Sequence, residues 1–171
     1  MKMTPIERLK AHGLIDWSVL QFGMSSNRYG STIFVTPNDV SDYAMEEIGS
    51  LPEDLVPICG ELIGAESADA DKIIVALGVL SQRFGQSLDI AKRKWRAVFL
   101  EALLEELGSD PVYDLLKMGE FWAEWGMGDK PYVVQGVDNN IEPGDYYTES
   151  NLLMAMDAHN KWLDAEILSL K

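Results

Sequence analysis

Residues 67–108 constrain the fold more than any other part of this chain. They form its longest apolar, helix-favouring stretch, broken at Phe84-Gly85-Gln86. Ser67-Ala68-Asp69-Ala70-Asp71 opens the first half with side chains that can accept hydrogen bonds from the free N–H groups of a first helical turn. The early acids also suit the positive end of a helix dipole. Ile73, Ile74, Ala76, Leu77 and Leu80 then recur at helical spacing. Ser87 can cap a second helix, in which Ala91, Trp95, Val98, Phe99, Ala102 and Leu103 follow at steps of three and four. Leu100, Leu104 and Leu107 widen that stripe, so the helix is expected to be covered on more than one side. Gly85 and Gly108 are the stops. The expectation is a mainly α chain. A single multi-helical domain, 1–171, packs around a helix pair at about 69–84 and 88–107, with at most one or two short strands.

The flanking sequence repeats the helical theme. Thr4-Pro5-Ile6-Glu7 has a capping residue, a proline at the first helical position and an acid that completes a capping box. The helix it opens is expected to stop at Gly13, with His12 at its C-terminal end. Asp16 caps a short helix over 17–22, ended by Gly23. Residues 25–31 form a polar loop, and Ile33-Phe34-Val35 is either a short strand or an extended lead into the next helix. Thr36-Pro37-Asn38-Asp39 repeats the cap-proline-acid pattern ahead of a helix at 39–48. A further helix is expected at 53–62, with Pro57 near its first turn. Asp110-Pro111 starts the next, with Gly119 a candidate interruption. Residues 130–147 are turn-rich, with Tyr132-Val133-Val134 a candidate extended piece. Thr148 caps a final helix that runs to about Leu170.

Charge separates the classes of partner. There are 28 acidic residues against 14 basic ones, a formal net charge of −14. Such a surface disfavours nucleic acid and anionic membrane and favours a basic partner. Between Asp39 and Asp71 the acids are Asp39, Asp42, Glu46, Glu47, Glu53, Asp54, Glu61, Glu66, Asp69 and Asp71, with no Lys or Arg among them. The one basic cluster is Lys92, Arg93, Lys94 and Arg96, placed near a helix N-terminus against the sense of the dipole. Two readings are open to it: pairing with acids from other helices, or a nucleic-acid patch. The net charge favours the first. Cys59 is the sole cysteine, so an intramolecular disulfide or a cysteine-based zinc site cannot form. Its neighbours Val56-Pro57-Ile58 favour a packed thiol over a nucleophile. The N-terminal residues lack the apolar run of a signal peptide and no stretch has the length of a membrane span, so a cytoplasmic location is expected.

Motifs for catalysis are not apparent. His12 and His159 lack a second histidine at ligand spacing, and Asp157 and His159 fall on different helix faces. Gly126-Met127-Gly128 lacks the third glycine of a dinucleotide loop. Glu120 and Glu124 share a helix face and could hold a hard cation. Asp138-Asn139-Asn140 resembles part of a calcium loop without its closing glutamate. No catalytic residue, metal ligand set or cofactor is assigned.

Several segments carry a family likeness: Ile15-Asp16-Trp17-Ser18-Val19-Leu20-Gln21-Phe22-Gly23, Asp39-Val40-Ser41-Asp42-Tyr43-Ala44, Tyr146-Tyr147-Thr148-Glu149-Ser150-Asn151-Leu152 and Asn160-Lys161-Trp162-Leu163. Together they resemble an uncharacterised bacterial family, domain of unknown function 2247. The resemblance spans nearly the whole chain and brings no active site with it. It implies a small bacterial cytosolic protein of the sort found beside secreted-toxin genes, where immunity proteins are common. The expectation is a non-catalytic acidic protein that occludes a basic toxin through Asp42, Glu46, Glu47, Glu53 and Asp54. The alternatives are an enzyme with a carboxylate-bound metal and a structural or adaptor protein.

Overall fold

In the computed structural model, which describes residues 2–26 and 34–171, the described residues form nine α-helices and no strand. They are α1 (Pro5–Ala11), α2 (Trp17–Ser25), α3 (Pro37–Glu47), α4 (Val56–Leu62), α5 (Ala70–Arg83), α6 (Leu88–Leu104), α7 (Pro111–Trp125), α8 (Pro143–Tyr146) and α9 (Glu149–Ser169). They gather into two compact units, Met1–Trp95 and Arg96–Lys171, with the boundary inside α6. The all-α class expected from the periodicity is what forms. The candidate strand at Phe34 and Val35 is instead an irregular lead into α3, and Val133 and Val134 lie outside regular structure. Asn27, Gly30 and Ile33 fall outside the described residues.

The helix starts follow the local chemistry. Thr4 and Glu7 form a reciprocal capping box, in which the Thr4 N–H donates to Glu7 Oε2 (2.7 Å) and the Glu7 N–H to Thr4 Oγ1 (3.3 Å). Thr36 and Asp39 repeat it at α3, which therefore begins at Pro37 rather than at Asp39. Ahead of α5, residues 67–69 form a short 3-10 turn closed by Asp69, whose carboxylate accepts from the Glu66 N–H (3.2 Å) and makes no side-chain cap to α5 itself. Helix α4 starts three residues later than expected. Glu53 and Asp54 are spent in a turn closed by the Leu55 N–H on the Pro52 carbonyl (2.9 Å), and Pro57 then falls in the first turn, where its missing N–H costs little. At the end of α5, Gly85 adopts φ +63°, and the Gln86 N–H reaches back to the Ser81 carbonyl (3.0 Å). That left-handed residue is what a β-carbon would penalise.

In the first unit, α5 packs on α2 and α4, and α3 packs on α4. The spacing explains why: Ile73, Ala76, Leu77 and Leu80 put one face of α5 inward, against Val19 and Leu20 of α2 and Cys59 and Leu62 of α4, all buried. Asp16 caps α2 by accepting from the Val19 N–H (2.9 Å) with Oδ1, while its Oδ2 takes the buried Lys94 ammonium (2.5 Å). Trp95, fully buried, donates its indole N–H to the Val19 carbonyl (2.9 Å).

Gly23 does not end α2 as its sequence position suggests. The helix continues to Ser25, and Gly23 is buried inside it. A β-carbon there would lie 2.3 Å from Val35 Cγ2 and 3.0 Å from Trp95 Cζ2. Neither branched valine nor indole can swing clear, so Gly23→Ala is expected to destabilise the protein by about 1–3 kcal/mol. Denaturant titration of G23A, V35A and the double variant checks this. Relief of the cost by V35A is expected, and simple additivity would place the collision elsewhere.

In the second unit, α7 packs on α9. Leu115, Met118, Phe121, Trp122 and Trp125 face Leu152, Ala155, His159 and Leu163, the last four at helical spacing along α9. Gly119 does not interrupt α7. The α6–α7 turn closes over Asp114. Its buried Oδ2 accepts from the backbone N–H groups of Gly108 (2.7 Å), Ser109 (3.0 Å) and Asp110 (3.2 Å). Burial pushes this carboxyl up, but the three donors together, with Lys117, hold it below its ordinary value. The turn-rich segment is pinned by Asn139, whose Nδ2 donates to the Val134 (2.7 Å) and Val137 (2.6 Å) carbonyls. Asn139 thus serves a turn, and Asp138 beside it takes φ +58°.

Candidate functional site

The acids singled out in the sequence lie in the first unit, on α3 and in the turn before α4. Val40, Tyr43 and Ala44 are the buried side of α3, which leaves Asp42 and Glu46, four residues apart, together on its exposed side. Glu46 meets the Lys10 ammonium of α1 at 3.4 Å. Glu47 is half-buried and behaves differently: Ser50 Oγ donates to its backbone carbonyl (2.8 Å), and its charge bears on Tyr43 and Cys59. Burial, then Glu47, Asp16 and Glu46, push the Tyr43 hydroxyl well above its ordinary value. Burial and Glu47 likewise raise the Cys59 thiol, which sits fully buried 3.5 Å from the Ala44 carbonyl. A thiol held protonated in this way is a packing group rather than a nucleophile. Glu53 and Asp54 are exposed, and Asp54 pairs with Arg83 at the end of α5 (3.3 Å).

Between α4 and α5 lies a groove of about 380 Å³. Ile58, Val75, Ala76 and Val79 line it, with Glu61, Asp71 and Lys72 at one end. Residue spacing alone does not reveal this groove. Its signal was Val75 and Val79, one helical turn apart and off the buried stripe of Ile73, Ala76, Leu77 and Leu80.

The basic cluster divides. Lys94 is held by Asp16 in the first unit, and Arg96 by Asp129 (2.5 Å) and Glu166 (3.3 Å) in the second, so pairing with acids from other elements is the arrangement at both. Lys92 and Arg93 are half-buried.

His159 is buried in the second unit. Its Nε2 accepts from the Trp122 indole N–H (2.8 Å), and its Nδ1 lies 2.6 Å from the Ala155 carbonyl, which fixes the neutral ring with the proton on Nδ1. Burial lowers its pKa from 6.5, opposed by the Ala155 hydrogen bond. The unfolded chain takes up this proton below about pH 6.5, whereas the folded chain resists it. The associated stability is therefore complete above that pH and is lost as pH falls through the folded-state value, with a limiting slope of about 1.4 kcal/mol per pH unit. Unfolding midpoints measured from pH 7 to 5 are expected to fall more steeply for the native chain than for His159→Gln. Parallel curves would refute the assignment.

Glu120 and Glu124 are both exposed on α7. Among the described residues no three of His, Cys, Asp and Glu converge as ligands for a metal, and no helix is long and apolar enough to cross a membrane. One family model, described as an uncharacterized protein conserved in bacteria (DUF2247), matches residues 6–167. No curated protein and no solved structure matches the chain.

Proposed function

The chain belongs to this DUF2247 family of bacterial proteins, and from that premise we propose that it is a non-catalytic binding protein of the bacterial cytoplasm, an immunity protein that occludes a basic toxin. The observation that carries the reading is the exposed acidic surface of the first unit. Asp42, Glu46, Glu53 and Asp54 all reach solvent, in a span from Asp39 to Asp71 that has no Lys or Arg to neutralise it locally. Lys10 and Arg83 each offset one of those charges from outside the span. A surface of this kind steers a cationic partner into encounter and rejects anionic ones. Glu47 contributes field rather than contact, since its side chain is half-buried beside Tyr43.

Affinity capture from the native bacterium, read by mass spectrometry, tests the partner class. Stoichiometric recovery of a basic toxin domain supports occlusion, and recovery of nothing basic removes it. With such a partner in hand, Asp42→Lys combined with Glu46→Lys is expected to slow association roughly tenfold at low salt and to flatten its salt dependence, with a smaller change in dissociation. An association rate that keeps its full salt dependence would exclude this face.

A further inference from the structure

The geometry points to the groove between α4 and α5 as the docking site of an amphipathic, basic helical segment of the protein partner. This deepens the binding reading above and rests on it. Helix α5 presents a slowly winding stripe at four-residue spacing, Asp71, Val75, Val79 and Arg83, with the two valines adjacent at its middle. Val75 is 66% exposed and Val79 41% exposed, although the opposite face of the same helix is fully buried. Facing this stripe, α4 and its leading turn present Asp54, Ile58 and Glu61 in the reverse order. Glu61 and Asp71 line one end of the groove, and the Asp54–Arg83 ion pair lies outside its lining, beyond Val79 and Ile58 on the same two segments. The middle is therefore apolar, with charge at one end and beyond the other.

The charge of those ends selects the occupant. Arg83 is matched by Asp54 at 3.3 Å, and Lys72 by Asp69 at 3.9 Å. Glu61 and Asp71 have no cation within 4.0 Å among the described residues. The groove thus offers two exposed valines one turn apart and two unmatched carboxylates beyond them. The complementary ligand is a helix with aliphatic side chains at i and i+4 and Lys or Arg in the adjoining turn. A second copy of this chain is disfavoured as occupant, because each copy carries a net charge of −14.

The test is a titration of the full chain, labelled at Ile, Leu and Val methyls and at backbone amides, with an 18-residue leucine–lysine amphipathic peptide and its leucine–glutamate counterpart. The lysine peptide is expected to shift the Ile58, Val75 and Val79 methyls. Val75→Gln with Val79→Gln should weaken binding roughly tenfold, and Glu61→Gln with Asp71→Gln should weaken it less and reduce its salt dependence. Thermal melts of both double variants establish that they fold. Groove methyls that stay still while amides of Asp42 and Glu46 respond would overturn the groove and leave the acidic α3 face standing. Groove methyls that respond while α3 is silent would uphold the groove and remove α3 from the contact. Equal response to the glutamate peptide, shifts that track protein concentration alone, or no response to the lysine peptide would overturn the proposal.

Discussion

Arg96→Ala is expected to destabilise the second unit by about 3–5 kcal/mol. The Arg96 side chain is 7% exposed and lies against the rings of Trp122 and Trp162, which meet edge to face, with its guanidinium carbon 5.6 and 5.1 Å from their centroids. Nη1 donates to Asp129 and Nη2 to Glu166. The two carboxylates do not count equally. Asp129 is 62% exposed, so water screens that pair and it contributes little. The Glu166 side chain is 11% exposed, so the Arg96 guanidinium acts on a carboxylate that water reaches poorly, and its removal costs more there than at Asp129. The two indole faces add cation–π attraction in the same desolvated setting. Most of the loss is therefore expected from the poorly hydrated Arg96–Glu166 contact and from the space emptied beside the two indoles, rather than from the exposed Asp129 pair. A double-mutant cycle of Arg96→Met and Glu166→Gln separates the two, with the double variant recovering much of the single loss. If Arg96→Ala unfolds within about 1 kcal/mol of the native chain, the ion pairs are not what holds α6 to α9 within this unit.

Trp95→Ala is expected to cost about 3–5 kcal/mol, because it empties the largest fully buried site of the first unit. The ring lies 5.2 Å from Phe34 and covers the bare backbone of Gly23. The indole N–H accounts for a minor share. It donates to the Val19 carbonyl, which lies inside α2 and retains helical pairing without it, so Trp95→Phe should lose about 1–2 kcal/mol from hydrogen bond and volume together. Chemical denaturation of the pair distinguishes volume from hydrogen bonding. A Trp95→Phe loss as large as that of Trp95→Ala would assign the stability to the hydrogen bond instead.

The helix starts were legible in the sequence because capping is local chemistry. Thr4, Asp16, Thr36, Asp110 and Thr148 each cap the helix expected of them, and each acts on an N–H no more than three residues away. Helix ends and glycines were less legible. Gly13 and Gly85 are stops with positive φ, whereas Gly23 and Gly119 lie inside helices. The same residue type serves as a stop or as a close-approach site, and only the neighbour above it, Val35 at Gly23 or Val134 at Gly119, tells them apart. Asp114 illustrates the same limit. In sequence it is one acid among 28, and its three backbone donors exist only once the α6–α7 turn has closed.

For the candidate site, the sequence located the acids but not the surface they flank. Exposure of Asp42, Glu46, Glu53 and Asp54 follows from helical phase and turn position. The groove needs α4 and α5 side by side, so that Ile58 faces Val75 and Val79 across a gap that sequence spacing does not encode.

By itself the sequence determined the all-α class, the caps, the inward stripe of α5 and the sign of the surface charge. Those properties depend on residues within a turn or two of one another, or on the simple sum of charges. Tertiary structure alone decided that Lys94 and Arg96 are spent on Asp16, Asp129 and Glu166, that His159 is a neutral hydrogen-bond acceptor for Trp122, and that Val75 and Val79 are left facing water. Each of those outcomes joins groups that are distant in the chain, where desolvation and shape, not periodicity, set the energy.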